Sequence, residues 1–499
     1  MPDVPAAPAP HSVRAALRSP RTLRTEVLGG LVVALALIPE AIAFSLVAGV
    51  DPRVGLFASF TMAVTIAIVG GRPAMISAAT GAVALVVAPV VRDHGLDHLV
   101  ATVILAGLLQ VVLGLLGVAR LMRFVPRSVM VGFVNALAIL IFLSQLPHLR
   151  DVPVAVYPLV AAGIAVIVLF PRLTKVVPAP LVAIALLTVV VLAAGIAVPT
   201  VGDQGELPES LPALFVPDVP LNLETLRIIA PYALGMALVG LLESLMTAKL
   251  VDEVTDTRSD TTREAWGQGV ANVVTGLFGG MGGCAMIGQT MINVKASGSR
   301  TRISTFLAGV FLLVLVVGLG DVVAVIPMAA LVAVMVMVCV GTFDWHSVRP
   351  ATLRRMPRSE TAVMLATVAV TVATHNLAYG VIVGVLVATV MFARRVAHLT
   401  TVTPRDAADD AGRRVYDVTG ELFFASSNDL VHQFDYVGDP QDVVIDLSAA
   451  HVWDASSVAA LDAVRTKYAA RGKHVTVVGM NADSAERHER LSGALGAGA

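Results

Sequence analysis

Long apolar runs separated by short polar turns fill most of the chain up to about residue 395. Twelve of them, at 28–49, 54–69, 99–118, 129–146, 154–170, 179–198, 228–250, 267–278, 303–318, 326–340, 362–374 and 377–392, are long enough to cross or largely cross a hydrocarbon core of ~30 Å. Each is predicted to be a membrane helix. Two further segments, 72–83 and 282–300, begin as extended, Gly- or Pro-flanked pieces and then switch to helix-compatible residues, so they read as interrupted spans. Counted as the third and tenth crossings, they bring the total to about fourteen. Both carry Ala-Met-Ile followed by a small residue, at Ala74–Ser77 and Ala285–Gly288, an offset of 285 − 74 = 211. Backbone without helical hydrogen bonds survives at membrane depth only where protein or a water-filled cavity satisfies it. Two such segments in corresponding positions of two halves point to a transporter's binding site.

The charged residues orient this pattern. Arg14, Arg18, Arg21 and Arg24 precede the first span. Arg120, Arg123, Arg127, Arg172, Lys175, Arg258, Arg263, Arg300, Arg302, Arg349, Arg354, Arg355, Arg358, Arg394 and Arg395 all follow even-numbered spans. The other side has only Arg53, Arg92, Arg150 and Arg227, with an acidic loop at Asp203, Glu206, Glu209 and Asp218. The positive-inside bias therefore predicts cytoplasmic termini. Seven spans per half is odd, so repeated halves would insert with opposite polarity as an inverted repeat. Glu40 and Glu243, 203 residues apart, and Pro126 and Pro327, 201 apart, are candidate equivalent positions.

Composition narrows the class: 56% of the 499 residues are hydrophobic and 14% charged, against about 25% charged in soluble domains. A formal net charge of −1 argues against nucleic acid as a partner. Cys284 and Cys339 lie in apolar stretches and suit neither a disulfide framework nor a metal site. Residues 1–20 lack the apolar core of a signal peptide and read as a cytoplasmic tail. After Arg395 the composition changes. A linker at 403–414 is followed by a strand pair around Gly420, helices at 426–434, 456–470 and 482–495, and strands at 442–447 and 475–480, which together predict a small, partly parallel α/β domain.

Leu37-Ile38-Pro39-Glu40-Ala41-Ile42-Ala43-Phe44-Ser45 and Gly55-Leu56-Phe57-Ala58-Ser59 resemble first-half motifs of the sulfate permease (SulP) anion transporters. Glu243-Ser244-Leu245, Gly279-Gly280-Met281, Asn293-Val294-Lys295 and Gly298-Ser299-Arg300-Thr301 resemble the second-half motifs. The C-terminal part is similar to a STAS domain, with Asp454-Ala455-Ser456-Ser457 in place of its Asp-Ser-Ser-Gly loop. The resemblance implies an α-helical polytopic membrane protein with a 7+7 inverted repeat, core and gate domains, half-helix spans three and ten, and a cytosolic STAS-like domain. It gives boundaries of 1–24 for the tail, 25–395 for the transport domain (repeats 25–200 and 225–395), 396–413 for the linker and 414–499 for the STAS-like domain. A homodimer in the cell inner membrane is expected. The chain departs from the family pattern at Glu40, where most members have Gln, and at Gln289, where several animal members have Arg.

An anion at the midplane needs donors and positive potential to replace its hydration, and helix N-termini supply both. Those starts are expected near Ala78-Ala79-Thr80 and Gly288-Gln289-Thr290, with Thr80, Gln289 and Thr290 adding neutral donors and Phe44 capping the cavity. Glu40 and Glu243 are carboxylates in apolar spans, where an ionised side chain is costly and usually functional. A proton and an anion binding together are favoured there, whereas a fixed negative charge beside an anion is not. Glu40 is the expected proton carrier, and Glu243 is a second titrating group, a cation ligand or a tether through Ser244. Ser456 is expected to cap a helix. The expected function is proton-coupled, alternating-access transport of a small inorganic anion or carboxylate, with no cofactor, metal or enzymatic activity. Alternatives are an anion channel or uncoupled exchanger, a STAS-linked signalling protein, and a nucleobase–proton symporter.

Overall fold

The computed structural model describes residues 13–118, 120, 125–173, 178–220, 222–397, 400–406 and 412–493. Most of the predicted tail, Arg123, Lys175, the linker acids Asp409 and Asp410, and the last two residues of the helix predicted at 482–495 lie outside them.

A short helix α1 (Val13–Arg18) meets α2 (Pro20–Ala48), whose Ser19 N-cap accepts a hydrogen bond from Thr22 N and whose Gly49 C-cap takes φ 78°. Helix α3 (Pro52–Val69) follows, then a two-residue strand β1 (Ser77–Ala78) and α4 (Gly81–Leu115). Helix α4 fuses the helical part of the third predicted span with the fourth span. The break between them is Gly95, at φ 82° and ψ −171°, a conformation that glycine adopts without steric cost. Next come α5 (Arg127–Gln145), α6 (Val156–Leu169) and α7 (Ala179–Ala194).

The second half repeats the order. It comprises α8 (Leu223–Thr255), α9 (Thr261–Leu277), strand β2 (Cys284–Ala285), α10 (Ile287–Met291) running into a π-helical turn at Ile292–Ala296, and α11 (Arg302–Gly318). After the short α12 (Gly320–Ala324) come α13 (Met328–Thr342), another short helix α14 (Pro350–Arg355), α15 (Arg358–Thr374) and α16 (Leu377–Ala397). Among the described residues, six helices are long and apolar enough to cross a bilayer, and four more are shorter and apolar. Helices α2, α3, α4, α8, α9 and α11 pack chiefly on one another, while α5, α6, α7 and α13 form a second group with α15.

Strands β1 and β2 pair antiparallel, Ser77 opposite Ala285 and Ala78 opposite Cys284. A two-fold relation that exchanges these strands maps Ser77 to Cys284, an offset of 284 − 77 = 207. The helix starts at Gly81 and Ile287 differ by 206, and the left-handed turns at Gly95 and Gly298 differ by 203. The two Ala-Met-Ile matches, at an offset of 211, are therefore about four residues out of structural register. Ala74–Ile76 precede their strand, whereas Ala285–Ile287 end theirs and open a helix. Thr80, the N-cap of α4, has Met286 as its positional counterpart.

Side chains satisfy the backbone of both interrupted segments. Ala79 N donates to Ser59 Oγ (3.2 Å), Ala285 N to Ser244 Oγ (3.1 Å) and Ile76 N to Thr290 Oγ1 (3.0 Å). The carboxylate of Glu264 accepts from Gly71 N and Arg72 N at the entry to segment three. Glu26 accepts from Arg300 N, Thr301 N and Ser304 N at the exit from segment ten. Asn272, fully buried, bonds both polar groups of Gly283 and the Gln110 oxygen at 2.8–3.0 Å. Asn272→Ala would leave three buried polar groups without this partner, and each such group costs about 1–3 kcal/mol. A clear drop in the thermal unfolding midpoint of the purified variant is expected; an unchanged midpoint would show that the network contributes nothing.

The remaining unit, Leu386–Ala499, has its own core. Its sheet runs β3 (Thr401–Asp406), β4 (Arg413–Leu422), β5 (Asp442–Val452), β6 (His474–Val478), antiparallel at β3–β4 and parallel thereafter. Helices α17 (Phe424–Leu430), α18 (Ala455–Ala469) and α19 (Ala482–Leu491) complete it. Three details differ from expectation. Residues 401–406, assigned to the linker, form an edge strand, because pairing with β4 outweighs their polar composition. The strand pair around Gly420 is one continuous strand. The N-cap of α18 is Asp454, accepting from Ser457 N and Oγ, while Ser456 is exposed in the first turn.

Candidate functional site

The two helix starts beyond the strand pair face a cavity of about 430 Å3. One wall comes from the α2–α4–α8 group: Glu40, Phe44, Thr80, Gly81, Glu243 and Gly288. The other comes from α5 and α13, through Phe133, Leu137, Ile141, Val338 and Thr342. The cavity thus lies between the two packing groups. Glu40 and Glu243, on equivalent helices of the two halves, line it together, as do Phe44, Thr80 and Gly288.

The other expected site residues stand behind this surface. Ala78 belongs to β1, and Ala79 N is engaged by Ser59. Thr290 is fully buried, and its hydroxyl serves Ile76. Gln289 is 2% exposed, its amide lies against the Glu40 carboxyl, and its Oε1 is buried without a partner among the described residues. Thr80 caps α4 by accepting from Val83 N at 3.3 Å. Among the described residues, Gly81 N and Ala82 N in the first turn have no acceptor. The free donors therefore begin two to three residues beyond Ala78 and Ala79. A short helix followed by a π turn supplies the facing segment.

Cys284 is the residue that the sequence pattern passed over. Its Sγ lies 2.9 Å from Glu243 Oε2, to which it donates, and 3.1 Å from Thr80 Oγ1. A thiol in the strand of one half thus bridges the helix cap of the other half to the carboxylate. Glu243 itself is 8% exposed. Ser244, its neighbour, holds β2 through Ala285 N. The signal for Cys284 was its place next to the second Ala-Met-Ile, on the side that pairs with β1. Gly81 was missed as well. A Cβ added there would sit 2.8 Å from both Phe44 Cε1 and Ile141 Cδ1, so the absent side chain lets the two walls meet. At Gly288 an added Cβ meets nothing within 4 Å among the described residues.

Glycine 81 yields a direct expectation. Gly81→Val forces Phe44 or Ile141 aside and should reduce the initial rate of solute flux at least about tenfold, the equivalent of 1.4 kcal/mol. Gly288→Ala, with open space ahead of it, should keep most of the rate. Equal rates for wild type and Gly81→Val, measured in liposomes, would count against a moving contact at this glycine.

Comparison with known proteins assigns the fold. The model of the sulfate permease family matches residues 23–158 and 152–367, and that of the STAS domain matches 404–493. The chain belongs to the sulfate permease family. Its sequence is 52% identical over 459 residues to the putative sulfate transporter YbaR of Bacillus subtilis, covering 92% of this chain and 95% of that one. It is 26% identical to the bicarbonate transporter BicA of Picosynechococcus sp., covering 94% and 91%. The transmembrane domain of a cyanobacterial BicA superposes with a TM-score of 0.65 at 27% identity, over 72% of this chain and 98% of that one. The murine Slc26a9 anion transporter in its inward-facing state gives 0.81 at 17% identity, over 95% and 88%. At that identity the likeness speaks for the fold alone. Within the sulfate permease family, then, this member places Glu40 and Glu243 on one cavity wall.

Proposed function

We propose that this sulfate permease family member is a proton-coupled transporter of a small monovalent anion, working by alternating access of its cavity to the two sides of the membrane. The observation that carries this reading is the cavity between two separately packed helix groups, with two carboxylates and neutral donors on its wall. A cavity bounded by two groups that pack mainly on themselves is a surface along which they can slide. The names of the relatives, as sulfate and bicarbonate transporters, support an anion as cargo and a transporter rather than an enzyme.

The charge of the cargo follows from the lining. Among the described residues no Lys, Arg or His lines the cavity. A helix start contributes only roughly +0.5 of a charge, and burying an ion without a partner costs several kcal/mol and rises steeply with its charge. A monoanion such as bicarbonate, chloride or formate meets this site better than sulfate. Glu40 carries the coupled proton. Protonated, it removes the repulsion that an ionised carboxylate would exert, and turning the Gln289 amide would offer the unpartnered Oε1 to its O–H. Glu243, held by Cys284, forms the second carboxylate.

A tail at 1–24, a transport domain at 25–395, a cytoplasmic STAS-like domain that takes in the edge strand at 401–406, cytoplasmic termini, residence in the cell inner membrane and homodimeric assembly belong to the same proposal, supported by the charge distribution and the family. Thermal unfolding of the purified protein with a series of anions at constant ionic strength tests it. At about 100 Kd a bound ligand stabilises by about 2.7 kcal/mol. Bicarbonate, chloride, nitrate or formate should raise the midpoint and sulfate should not. Stabilisation by sulfate alone would overturn the monoanion assignment, and stabilisation by no anion would overturn the site.

A further inference from the structure

A second and larger cavity, about 900 Å3, opens between α4 and α8 on one side and the α15–α16 turn on the other. It is lined by α4 from Leu85 to His94, by α8 from Arg227 to Leu238, and by Thr374 to Ile382 where α15 turns into α16. Arg227 stands 16 residues before Glu243 on α8, roughly 24 Å along a helix axis, and His94 stands 14 residues beyond Thr80 on α4. The central cavity, by contrast, runs toward the opposite ends, to Met246 on α8 and Thr342 at the end of α13. The two cavities thus follow one another along α4 and α8, the central one toward Met246 and the second toward Arg227.

Their charges differ in sign. The central cavity holds two carboxylates and no cationic side chain among the described residues. The second cavity presents Arg227, His94 and His375, with the tyrosines Tyr232 and Tyr379, and among the described residues no Asp or Glu lines it. Arg227 is exposed and forms no ion pair among the described residues. The nearby acids are engaged elsewhere or stand outside: Asp93 pairs with Arg92 at 2.8 Å, Asp97 accepts from Asp218 N at 3.0 Å, and the exposed Glu224 lies one turn before Arg227 without pairing to it. Arg92 and Arg227 are also two of the few basic residues on a side whose longest loop is acidic. An unpaired cation lining an open cleft, on a side where basic residues are few, offers a place for an anion. A cleft lined by charge of one sign with apolar walls focuses the field and raises the local concentration of counter-ions.

We propose that this cavity is an anion-collecting vestibule, in which Arg227 holds a small inorganic anion or carboxylate before the central cavity opens to that side. The proposal rests on the transport reading and adds a separate site to it. Arg227 acts on capture; it does not touch the anion once the anion has reached Glu40. Its removal therefore raises KM for anion taken up from that face and leaves kcat unchanged.

The two native cysteines are buried, so a cysteine placed at Arg227 can be modified selectively. In cells producing the full chain, Arg227→Cys should raise KM for labelled bicarbonate or chloride at low ionic strength by about threefold or more, and the difference should shrink in high salt. A membrane-impermeant thiosulfonate carrying a quaternary ammonium should bring KM back toward the wild-type value, and one carrying a sulfonate should raise it further. Arg227→Lys should keep the wild-type KM. An unchanged KM in Arg227→Cys, or the same effect from both reagents, would overturn the vestibule while leaving the central site standing. Absence of any anion uptake by the unaltered protein would overturn the transport reading and the vestibule with it.

Discussion

Glu40→Gln should abolish proton-driven accumulation while preserving exchange of internal for external anion. Glutamine is a lasting imitation of the protonated carboxyl: similar in size, uncharged, and able to face the Gln289 amide. The anion then still binds, because the repulsive charge is gone, but no proton is taken up or released with it. One proton per monoanion is electroneutral, and an inward gradient of one pH unit, worth about 1.36 kcal/mol, supports roughly tenfold accumulation. Wild type should approach that ratio in liposomes, and Glu40→Gln should stop near equality while its exchange rate stays within a few-fold. A purely structural Glu40 would lose binding and stability together on substitution. Glu243→Gln is the comparison, since it stands at the matching place of the other half and receives the Cys284 thiol. Should Glu243→Gln lose accumulation while Glu40→Gln retains it, the proton belongs to α8.

Gln289→Trp should reduce uptake to background. The side chain sits 2% exposed behind the Glu40 carboxyl, directly after Gly288 on the cavity wall. An indole there must push the first turn of α10 into the cavity or displace Glu40, and overpacking of this kind costs typically about 1–3 kcal/mol, which a folded protein can survive. Monodisperse elution and a retained unfolding transition establish that the variant is folded. Gly288→Phe is the companion, because its Cβ enters open space and its ring fills the cavity without a clash at the backbone. Full uptake by either folded variant would place the anion elsewhere.

The apolar runs and the two interruptions made the fold legible, because bilayer thickness dictates run length and backbone without helical hydrogen bonds is kept at membrane depth only where protein or a cavity satisfies it. Glu40 and Glu243 were legible for a related reason: a carboxylate in an apolar span has few uses other than at a cavity. Register was not legible. The Ala-Met-Ile match is composed of residues common in this chain, and the true equivalence is fixed by strand pairing between segments some 207 residues apart. Thr290 resembled a free donor because nothing local reveals that its hydroxyl closes the Ile76 backbone. Phe133, Leu137 and Val338 on the far wall could not be told from lipid-facing residues, since hydrocarbon and an apolar wall select the same side chains. Cys284 carried no pattern of its own; its role appears only when β2 is laid against Thr80 and Glu243.

The most direct measurement is the initial rate and final level of labelled bicarbonate, chloride and sulfate uptake by purified protein in liposomes, with and without an inward proton gradient. The expected result is saturable, electroneutral accumulation of a monoanion that the gradient drives and that sulfate does not compete for. Ohmic conductance indifferent to the gradient, or accumulation of sulfate in preference to every monoanion, would contradict it.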